Sequence, residues 1–386
     1  MNHHDMSHHD TNRHDMSHHD TNHHDMSHHD DMQAKSESEA ATPAPSANAC
    51  CGGAGCCDGT DERPVAFDLL GAGARAVGRA SPAAPIASAP ASEAIAHDAL
   101  REQVRSGYAS IAATGSWSAR ASTDQAAATE SVACCAGGGC CGPSTFTPEE
   151  LARAIGYSSD ELAAVPDGSN MGLSCGNPTA IASLRAGETV LDLGSGGGFD
   201  CFIAGAKVGA TGRVIGVDMT PAMLSKARAN AADYARQTGL SNVEFRLGEI
   251  EHLPVADGAA DVVISNCVLN LSPDKAQVWR EIARVLKRGG RVAVSDLALL
   301  RPLPDAVRAD LEALVGCIAG AMLVDEMREL ARAAGFTEIR LEAKSGYVDA
   351  MTDWQDPLYR RIVEALPAGS RVGDFVTSLD VTAVKP

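Results

Sequence analysis

From about residue 145 onward, apolar runs of strand length alternate with amphipathic stretches of helix length. The apolar runs are "TVLDLG", "RVIGVDM", "VEFRLGE", "ADVVISN" and "RVAVSDL". Helix-like segments such as "DCFIAGAKVG", "TPAMLSKARANAADYARQTG" and "SPDKAQVWREIARVLKRGG" lie between them. This alternation predicts βαβ units, and hence an α/β fold whose mostly parallel sheet carries helices on both faces. A further helix is predicted at "TPEELARAIG", with Thr147 as N-cap, Pro148 in the first helical position and Glu150 closing a capping box.

The pattern changes after Leu300. Two helices, "DAVRADLEALVGCIAGAM" and "VDEMRELARAAGF", are followed by two strands, "TEIRLEAK" and "SLDVTAVKP", which together predict a small C-terminal α+β subdomain. Upstream, a helix is predicted at "HDALREQVRSGYASIAA". We therefore expect a disordered His-rich and Cys-rich extension over 1–95, a helical Cys-containing lid over 96–178, a Rossmann-like core over 179–300 and a C-terminal cap over 301–386.

Composition narrows the possible functions. The net charge of −18 argues against binding a nucleic acid through its phosphates, although ten acidic and two basic residues place about −8 of it within residues 1–60. No apolar run of about 18 residues and no signal-like N-terminus occur, so we expect a cytoplasmic protein without a membrane partner. We also expect a monomer. Twelve cysteines in that compartment favour metal, metalloid or redox chemistry over structural disulfides.

A decapeptide occurs three times at the start of the chain, as "NHHDMSHHDT", "NRHDMSHHDT" and "NHHDMSHHDD". Its imidazole, carboxylate and thioether groups suit Ni, Cu or Zn, so His3, His4, His8 and His9 are candidate ligands of a divalent metal. The alternative is a disordered His-rich tail that has no dedicated role.

A second repeat is a CC-x4-CC motif, which occurs as "CCGGAGCC" at 50–57 and as "CCAGGGCC" at 134–141. Zinc ribbons usually show CxxC spacing, so zinc is possible but is not the favoured interpretation. Adjacent thiols on flexible glycine suit the capture of a thiophilic ion or thiol–disulfide exchange. The alternative is a mobile Cys-rich linker.

The segment "VLDLGSGGGFD" follows a predicted strand and opens a helix. Gly194, Gly196, Gly197 and Gly198 allow a tight turn and a close approach of backbone to a ligand. A glycine-rich turn is weak evidence alone, because dinucleotide and nucleoside binders share it. Asp192 lies two residues before the first glycine, where its carboxylate suits a cationic part of a ligand better than a pyrophosphate.

Further ligand contacts are expected where the next strands end. Asp218 is placed to accept hydrogen bonds from ribose hydroxyls, and adenine would lie against "GEIEHLP". The full set resembles the class I S-adenosylmethionine-dependent methyltransferase fold. The cofactor contacts that this resemblance implies are Asp192, Gly194, Ser195, Gly196, Gly198, Asp218, Met219, Glu249, Ile250, Glu251 and Asn266. An NAD-binding fold is the rival interpretation. Alternatively, Asp218 caps the following helix and Glu251 is solvated surface.

Three cysteines stand in distinctive contexts: Cys175 in "GLSCGNP", Cys267 in "SNCVLNL" after the fourth strand, and Cys317 in the apolar helix-like run "VGCIAGA". They are too far apart in sequence for a local finger but suit a site built from three segments. Three thiolates match trivalent arsenic, which is soft, three-coordinate and pyramidal. Taken alone, Cys317 reads as a core residue, and Cys201 is expected to be core packing.

The motifs "GLSCGNP", "LDLGSGGGFDC", "GVDMT", "NCVLNL", "GCIAGA" and "SLDVTAVKP" resemble the arsenite S-adenosylmethionine methyltransferase family over about residues 96–386. The resemblance implies that Cys175, Cys267 and Cys317 bind As(III). It further implies mono-, di- and even trimethylated arsenicals as products, and thioredoxin or glutathione as reductant. The family's additional relay cysteine must then be one of Cys134, Cys135, Cys140 and Cys141. Residues 1–95 have no counterpart in the family pattern.

Two rival functions stay open at this level. A methyltransferase of the same fold acting on a thiol, quinone or sterol-like lipid would tolerate replacement of Cys267 and Cys317. A metalloid-sequestering protein would bind As(III) or metal tightly without consuming S-adenosylmethionine. An enzyme whose N-terminal tail gathers metal or arsenic would combine both roles.

Overall fold

The structure is a computed structural model that describes residues 91–117 and 146–386. These residues belong to one compact unit of the chain, Ala83–Pro386. The histidine repeats, both CC-x4-CC motifs and the expected disorder of the N-terminal extension lie outside the described residues. The first described helix starts at Ala91, a few residues before the domain boundary expected from the sequence.

In the described part of the chain, eight strands form one sheet. They are β1 (Thr189–Leu193), β2 (Arg213–Asp218), β3 (Val243–Leu247), β4 (Ala260–Asn266), β5 (Leu286–Leu299), β6 (Met322–Leu323), β7 (Thr337–Lys344) and β8 (Val376–Val384). The order is β3-β2-β1-β4-β5-β8-β7, with β6 paired to β5. Strands β1 to β5 are parallel neighbours, whereas β8 runs antiparallel to β5 and β7. The mostly parallel sheet is therefore confirmed.

Helices precede, connect and follow the strands. They are α1 (Ala91–Thr114), α2 (Pro148–Ala154), α3 (Ser159–Ala163), α4 (Pro178–Ile181), α5 (Phe199–Val208), α6 (Pro221–Thr238), α7 (Lys275–Val285), α8 (Asp305–Arg308), α9 (Leu311–Val315), α10 (Val324–Ala333), α11 (Gly346–Asp353) and α12 (Pro357–Ala365). The predicted capping box is confirmed, since Thr147 and Glu150 exchange side-chain and backbone hydrogen bonds at the start of α2. Over the described residues, no helix is both long and apolar enough to span a bilayer.

The two faces of the sheet bury different helices. Successive side chains of a strand point to opposite faces. Accordingly Leu191 of β1 belongs to the cluster that contains Trp279 of α7, while Val190 belongs to the cluster that contains Phe202 of α5 and Tyr234 of α6. Helices therefore cover both faces, and the loops at the carboxyl ends of the strands stay open to form a site.

The C-terminal strands extend the central sheet. Residues of β8 pair with β5 from Arg291↔Val384 to Leu299↔Val376, and β7 continues on the other edge of β8. Helices α9, α11 and α12 pack in a separate apolar cluster, which also contains Cys175, Cys267 and Cys317. The C-terminal segment thus completes the sheet and also covers the cysteine region.

The prediction of one continuous helix around Cys317 is wrong. Helices α8 and α9 are short and end at Arg308 and Val315, and Cys317 lies in the following turn with φ of 63°. A Cβ on Gly320 would overlap the backbone carbonyl oxygen of Asn270. The close approach of these two backbones favours a turn here, although the apolar composition alone suits a helix.

Trp279 offers a test of the packed core. Its side chain is 0% exposed and contacts the ring of Phe336, with centroids 5.5 Å apart. We expect Trp279→Ala to lower the free energy of unfolding by about 3–5 kcal/mol, because the substitution leaves a large cavity. Urea denaturation followed by far-UV circular dichroism measures the change. Leu300→Ala is the control: Leu300 is 51% exposed, so a shift within about 0.5 kcal/mol is expected. Equal shifts for the two variants would contradict this view of the core.

Candidate active site

Glycines shape the loop that follows β1. Gly194, Gly196 and Gly198 have φ of 69°, 51° and 93°, values that L side chains rarely adopt. A Cβ on Gly194 would also overlap the side chain of Val268, in the loop after β4. The loop lies at the carboxyl edge of β1 and β4, where the strand order reverses, which is the usual ligand crevice of such sheets.

Asp218, at the end of β2, stabilises this loop through hydrogen bonds. Its carboxylate accepts hydrogen bonds from the backbone N–H groups of Gly196 at 2.9 Å and Thr220 at 2.7 Å. The side chain is buried and lines a cavity, and burial raises its pKa. Thr220 directly precedes α6, so Asp218 supports the start of that helix as well as the cavity wall.

The cavity beside the loop has an empty volume of about 960 Å³ when counted out to solvent. Most residues expected to bind the cofactor line it, namely Asp192, Gly194, Ser195, Gly196, Asp218, Met219, Ile250, Glu251 and Asn266. The wall thus combines backbone of the glycine loop, buried carboxyl groups and apolar side chains. Such a lining suits an amphipathic ligand that carries hydroxyl groups and positive charge.

Gly198 and Glu249 do not line this cavity. Gly198 is the N-cap residue of α5, where a Cβ would press against the rings of Phe202 and Phe245. Glu249 forms ion pairs instead, with Arg101 at 3.5 Å and Arg105 at 3.6 Å. In this structure both residues lie beside the cavity, and their direct contact with a cofactor stays a prediction.

Sequence reasoning missed two charged residues of the cavity wall, Asp200 and Arg101. Asp200 lies in the first turn of α5, directly after the glycine loop, and this position is a signal that could have found it. Arg101 comes from α1, and its guanidinium lies 3.4 Å from the carboxylate of Glu251. No local motif marks Arg101, because only tertiary packing brings α1 to the cavity.

Asp192 and Asp200 form a buried acidic pair at the cavity. Asp192 accepts a hydrogen bond from the Cys201 thiol at 3.1 Å, and Asp200 accepts one from the Tyr157 hydroxyl at 2.6 Å. Burial, with added repulsion from Asp200, raises the pKa of Asp192, and burial raises the pKa of Asp200 to about 6. Because these donors are neutral, a positively charged ligand group placed here would be strongly favoured.

The three predicted arsenic ligands meet around Cys267. Cys175 and Cys267 are joined by a disulfide, so the structure represents an oxidised form of the site, where the sequence predicted free thiolates. The Cys317 thiol donates to the backbone carbonyl of Cys267 at 2.7 Å. Cys267 and Cys317 both have positive φ, 54° and 63°. Such strained residues other than glycine are concentrated at functional sites.

The surroundings of Cys317 keep its thiol protonated. Burial raises its pKa well above the usual range, and the nearby Asp296 carboxyl adds to this effect. The Tyr108 hydroxyl of α1 lies 3.9 Å from the Cys317 sulfur and donates to the Val315 carbonyl at 3.3 Å. Helix α1 therefore contacts the cysteine region as well as the first cavity.

A carboxylate oxygen of the buried Asp296 and the sulfurs of Cys175 and Cys267 all lie within 4.8 Å of one another. Asp296 accepts hydrogen bonds from the Asn270 side chain at 2.9 Å and from the Leu297 backbone at 2.8 Å. Burial raises its pKa to about 7. The cysteine cluster is thus adjacent to one titratable carboxyl group.

A second cavity borders Cys317 and is lined also by Tyr347, Met351 and Tyr359. Three residues line both this cavity and the larger one: Tyr108, Leu173 and Cys267. Cys267 consequently stands between a cavity suited to a cofactor and a pocket beside the cysteine cluster.

The raised pKa of Asp296 predicts a pH effect on stability. An unfolded aspartate titrates near pH 4, so between about pH 4 and pH 7 the folded chain holds an extra proton at this group. Stability contributed by this group is therefore lost as the pH rises through that window. Asn does not titrate, so Asp296→Asn lacks this pH-dependent loss. The free energy of unfolding of the variant minus that of wild type should therefore rise between about pH 5 and pH 8. Urea denaturation at several pH values measures it, and a pH-independent difference would contradict it.

Other candidate residues separate into two groups. Cys201 is fully buried and packs beneath the glycine loop, where its thiol contacts Asp192, so it is a core residue as predicted. The possible metal ligands His3, His4, His8 and His9, and the possible relay thiols Cys134, Cys135, Cys140 and Cys141, lie outside the described residues. Their roles stay predictions.

A family model described as "Methyltransferase domain" matches residues 184–335. The arsenite methyltransferase of Halobacterium salinarum is 44% identical over 286 residues, which cover 74% of this chain and 66% of that protein. The arsenite methyltransferase of Aquipseudomonas alcaligenes is 48% identical over 163 residues, covering 41% and 47%. A crystal structure of an arsenic(III) S-adenosylmethionine methyltransferase from Chlamydomonas reinhardtii aligns at 35% identity over 61% of this chain and 73% of that one, with a TM-score of 0.45.

The sheet order, the glycine loop and the matched domain define a protein of the class I methyltransferase fold. Within that class, the chain belongs to the arsenite methyltransferase family. The chain spans 66% or less of the length of these curated relatives. The activity of the whole protein is therefore a proposal.

Proposed function

We propose that the protein methylates trivalent arsenic with S-adenosylmethionine as methyl donor, and thereby serves arsenic detoxification. The observation that carries this proposal is the position of Cys267. It lies in the wall shared by two cavities, is bonded to Cys175 and accepts a hydrogen bond from the Cys317 thiol. A thiol-bound atom at Cys267 would be within reach of a ligand in the larger cavity.

The larger cavity fits S-adenosylmethionine by its chemistry. The buried acidic pair Asp192 and Asp200 suits the cationic methionine part, and Asp218 suits ribose hydroxyls. Ile250 offers an apolar surface for adenine. The glycine loop supplies the close backbone approach that such a ligand needs.

The cysteine cluster fits As(III) as the substrate. Three thiols condense with arsenous acid to form three As–S bonds and three waters, so each thiol, including the protonated Cys317, gives up its proton to a departing hydroxyl group. Thiolate coordination selects a soft centre of this kind. Because the three sulfurs occupy one side of the pyramidal arsenic, its lone pair faces away from them. Catalysis then consists mainly of holding that lone pair in position.

The disulfide supplies the electron balance. Held at Asp192, Asp200 and Asp218, S-adenosylmethionine would supply the methyl group: an As–C bond would form from the arsenic lone pair as the S–CH3 bond breaks, with S-adenosylhomocysteine as the leaving group. Arsenic is then formally oxidised by two electrons. Cys175 and Cys267 return these electrons by leaving as a disulfide, which is the state seen here. An external dithiol such as thioredoxin, or glutathione, must reduce that bond before the next cycle.

Repeated cycles would convert the monomethylated product to dimethylated and then trimethylated arsenicals. Each added methyl group replaces one As–S bond, so later products are held by fewer cysteines. The family's relay thiol, sought among Cys134, Cys135, Cys140 and Cys141, would assist delivery or disulfide exchange.

The function is tested by incubating the purified full chain with arsenite, S-adenosylmethionine and a dithiol. Chromatography coupled to arsenic mass detection should show methylated arsenic that depends on both the cofactor and the dithiol. Bound arsenite without any methylated product would favour the sequestering role instead. Methylation of an added thiol or quinone with arsenite untouched would favour another small-molecule substrate.

A further inference from the structure

The Asn266 side chain links the large cavity to the Cys175 segment. Asn266 ends β4, lines the cavity and directly precedes Cys267. Its Oδ1 accepts a hydrogen bond from the Cys175 backbone N–H at 3.1 Å, and its Nδ2 lies 2.9 Å from the Gly176 carbonyl oxygen. The same Nδ2 donates to the Asp200 carboxylate at 2.9 Å. One amide therefore contacts both a carboxylate of the cavity and the backbone that carries Cys175.

The surrounding groups allow this amide a single orientation. The Tyr157 hydroxyl donates to Asp200 at 2.6 Å, and its oxygen lies 3.0 Å from Nδ2 of Asn266. A flipped amide would place Oδ1 against the Asp200 carboxylate and Nδ2 against the Cys175 N–H. Both contacts would then be repulsive, so Asp200 and the Cys175 N–H together fix the amide orientation.

We infer that Asn266 is a positioning residue that couples occupancy of the large cavity to the placement of Cys175. The ligand class is a molecule that brings a cationic group, such as an ammonium, to Asp192 and Asp200. A cation there keeps Asp200 charged, and a charged acceptor strengthens the hydrogen bond from Asn266. The fixed amide then holds the Cys175 N–H, and with it the thiol facing Cys267.

This coupling has a consequence for arsenic, which rests on the proposed function. If the placed Cys175 thiol binds As(III), cofactor occupancy raises the affinity for arsenite. By thermodynamic linkage, bound arsenite raises the affinity for the cofactor by the same factor. The coupling between the cavity and Cys175 does not itself require arsenic.

Hydrogen–deuterium exchange of the full chain tests the coupling without arsenic. S-adenosylhomocysteine, which carries the ammonium group but no transferable methyl, is added at saturation to protein kept reduced by a dithiol. Exchange in the peptide that contains Cys175 and Gly176 should slow by about fivefold or more. Exchange at the Gly196 amide, in the glycine loop, reports in the same experiment whether the cavity is occupied.

Two variants separate coupling from simple support of the segment. Asn266→Ala should abolish the ligand-dependent slowing at Cys175 when the ligand concentration is raised until slowing at Gly196 shows that the cavity of the variant is filled. Ser378→Ala is the matched control, because Ser378 Oγ donates to the Cys175 carbonyl at 2.7 Å and does not line the cavity. That control should speed exchange of the Cys175 peptide with and without ligand, but keep the same fold-change.

An unchanged ligand effect in Asn266→Ala, or an equal loss of the effect in Ser378→Ala, would overturn the inference. If Asn266→Ala does not bind the ligand, Tyr157→Phe decides, because Tyr157 touches Asp200 and Asn266 from outside the cavity. We expect that variant to lose at least half of the ligand effect, and full retention would refute the coupling. Absence of methylated arsenic in the product analysis would remove the proposed function while leaving these exchange results intact.

Discussion

Cys267→Ser is expected to lower the rate of arsenite methylation by at least about a hundredfold, the loss that follows when a reacting atom is misplaced. Cys267 is the only one of the three clustered cysteines that lines both cavities. It also forms the disulfide with Cys175, and its backbone carbonyl accepts the hydrogen bond of the Cys317 thiol. A serine hydroxyl binds soft As(III) poorly and cannot form the disulfide that returns electrons to arsenic.

The measurement is the initial rate of methylarsenical formation at saturating S-adenosylmethionine and dithiol. Cys201→Ser is the matched control, since Cys201 is a buried cysteine of a different apolar cluster, and its thiol donates a hydrogen bond to Asp192 that serine can replace. That variant should keep a rate within about threefold of wild type. Equal rates for Cys267→Ser and wild type would remove Cys267 from the reaction. Retained binding of S-adenosylhomocysteine by Cys267→Ser would exclude misfolding as the cause of a loss.

Local sequence patterns predicted much of the fold, and they predicted the part of the candidate site that is formed by the glycine loop and Asp218. Strands with continuous apolar runs, such as β4, are buried on both faces, so their pattern marks a parallel sheet. The glycine loop and Asp218 could be placed because their chemistry is local to one βαβ unit. The capping box of α2 could also be predicted from the local sequence, since Thr147 and Glu150 are only three residues apart.

Other features depend on tertiary contacts that no local pattern carries. The turn at Cys317 forms because Gly320 meets the Asn270 backbone, which comes from a distant part of the chain. Asn266 was predicted only as a cofactor contact, and its hydrogen bond to the Cys175 N–H spans 91 residues. The disulfide between Cys175 and Cys267 likewise required the structure, because composition favoured reduced thiols.

Asp218→Ala is expected to weaken binding of S-adenosylhomocysteine by roughly a hundredfold, because the loss of hydrogen bonds to a charged acceptor is worth about 2–3 kcal/mol. The carboxylate lines the cavity, where it would accept ribose hydroxyls. It also holds the Gly196 and Thr220 amides at 2.9 and 2.7 Å, so its removal loosens the glycine loop as well. Isothermal titration calorimetry measures the dissociation constant.

Two further variants decide what a loss at Asp218 would mean. Asp305→Asn removes an exposed carboxylate at the start of α8, outside the cavity, and should leave the affinity unchanged. Asp218→Asn keeps the side-chain shape and one acceptor oxygen, so its affinity should fall between those of wild type and Asp218→Ala. If Asp218→Ala binds S-adenosylhomocysteine as tightly as wild type, hydrogen bonds from the ribose to this carboxylate do not contribute to binding. The ligand would then have to be held by the acidic pair Asp192 and Asp200 and the glycine loop alone.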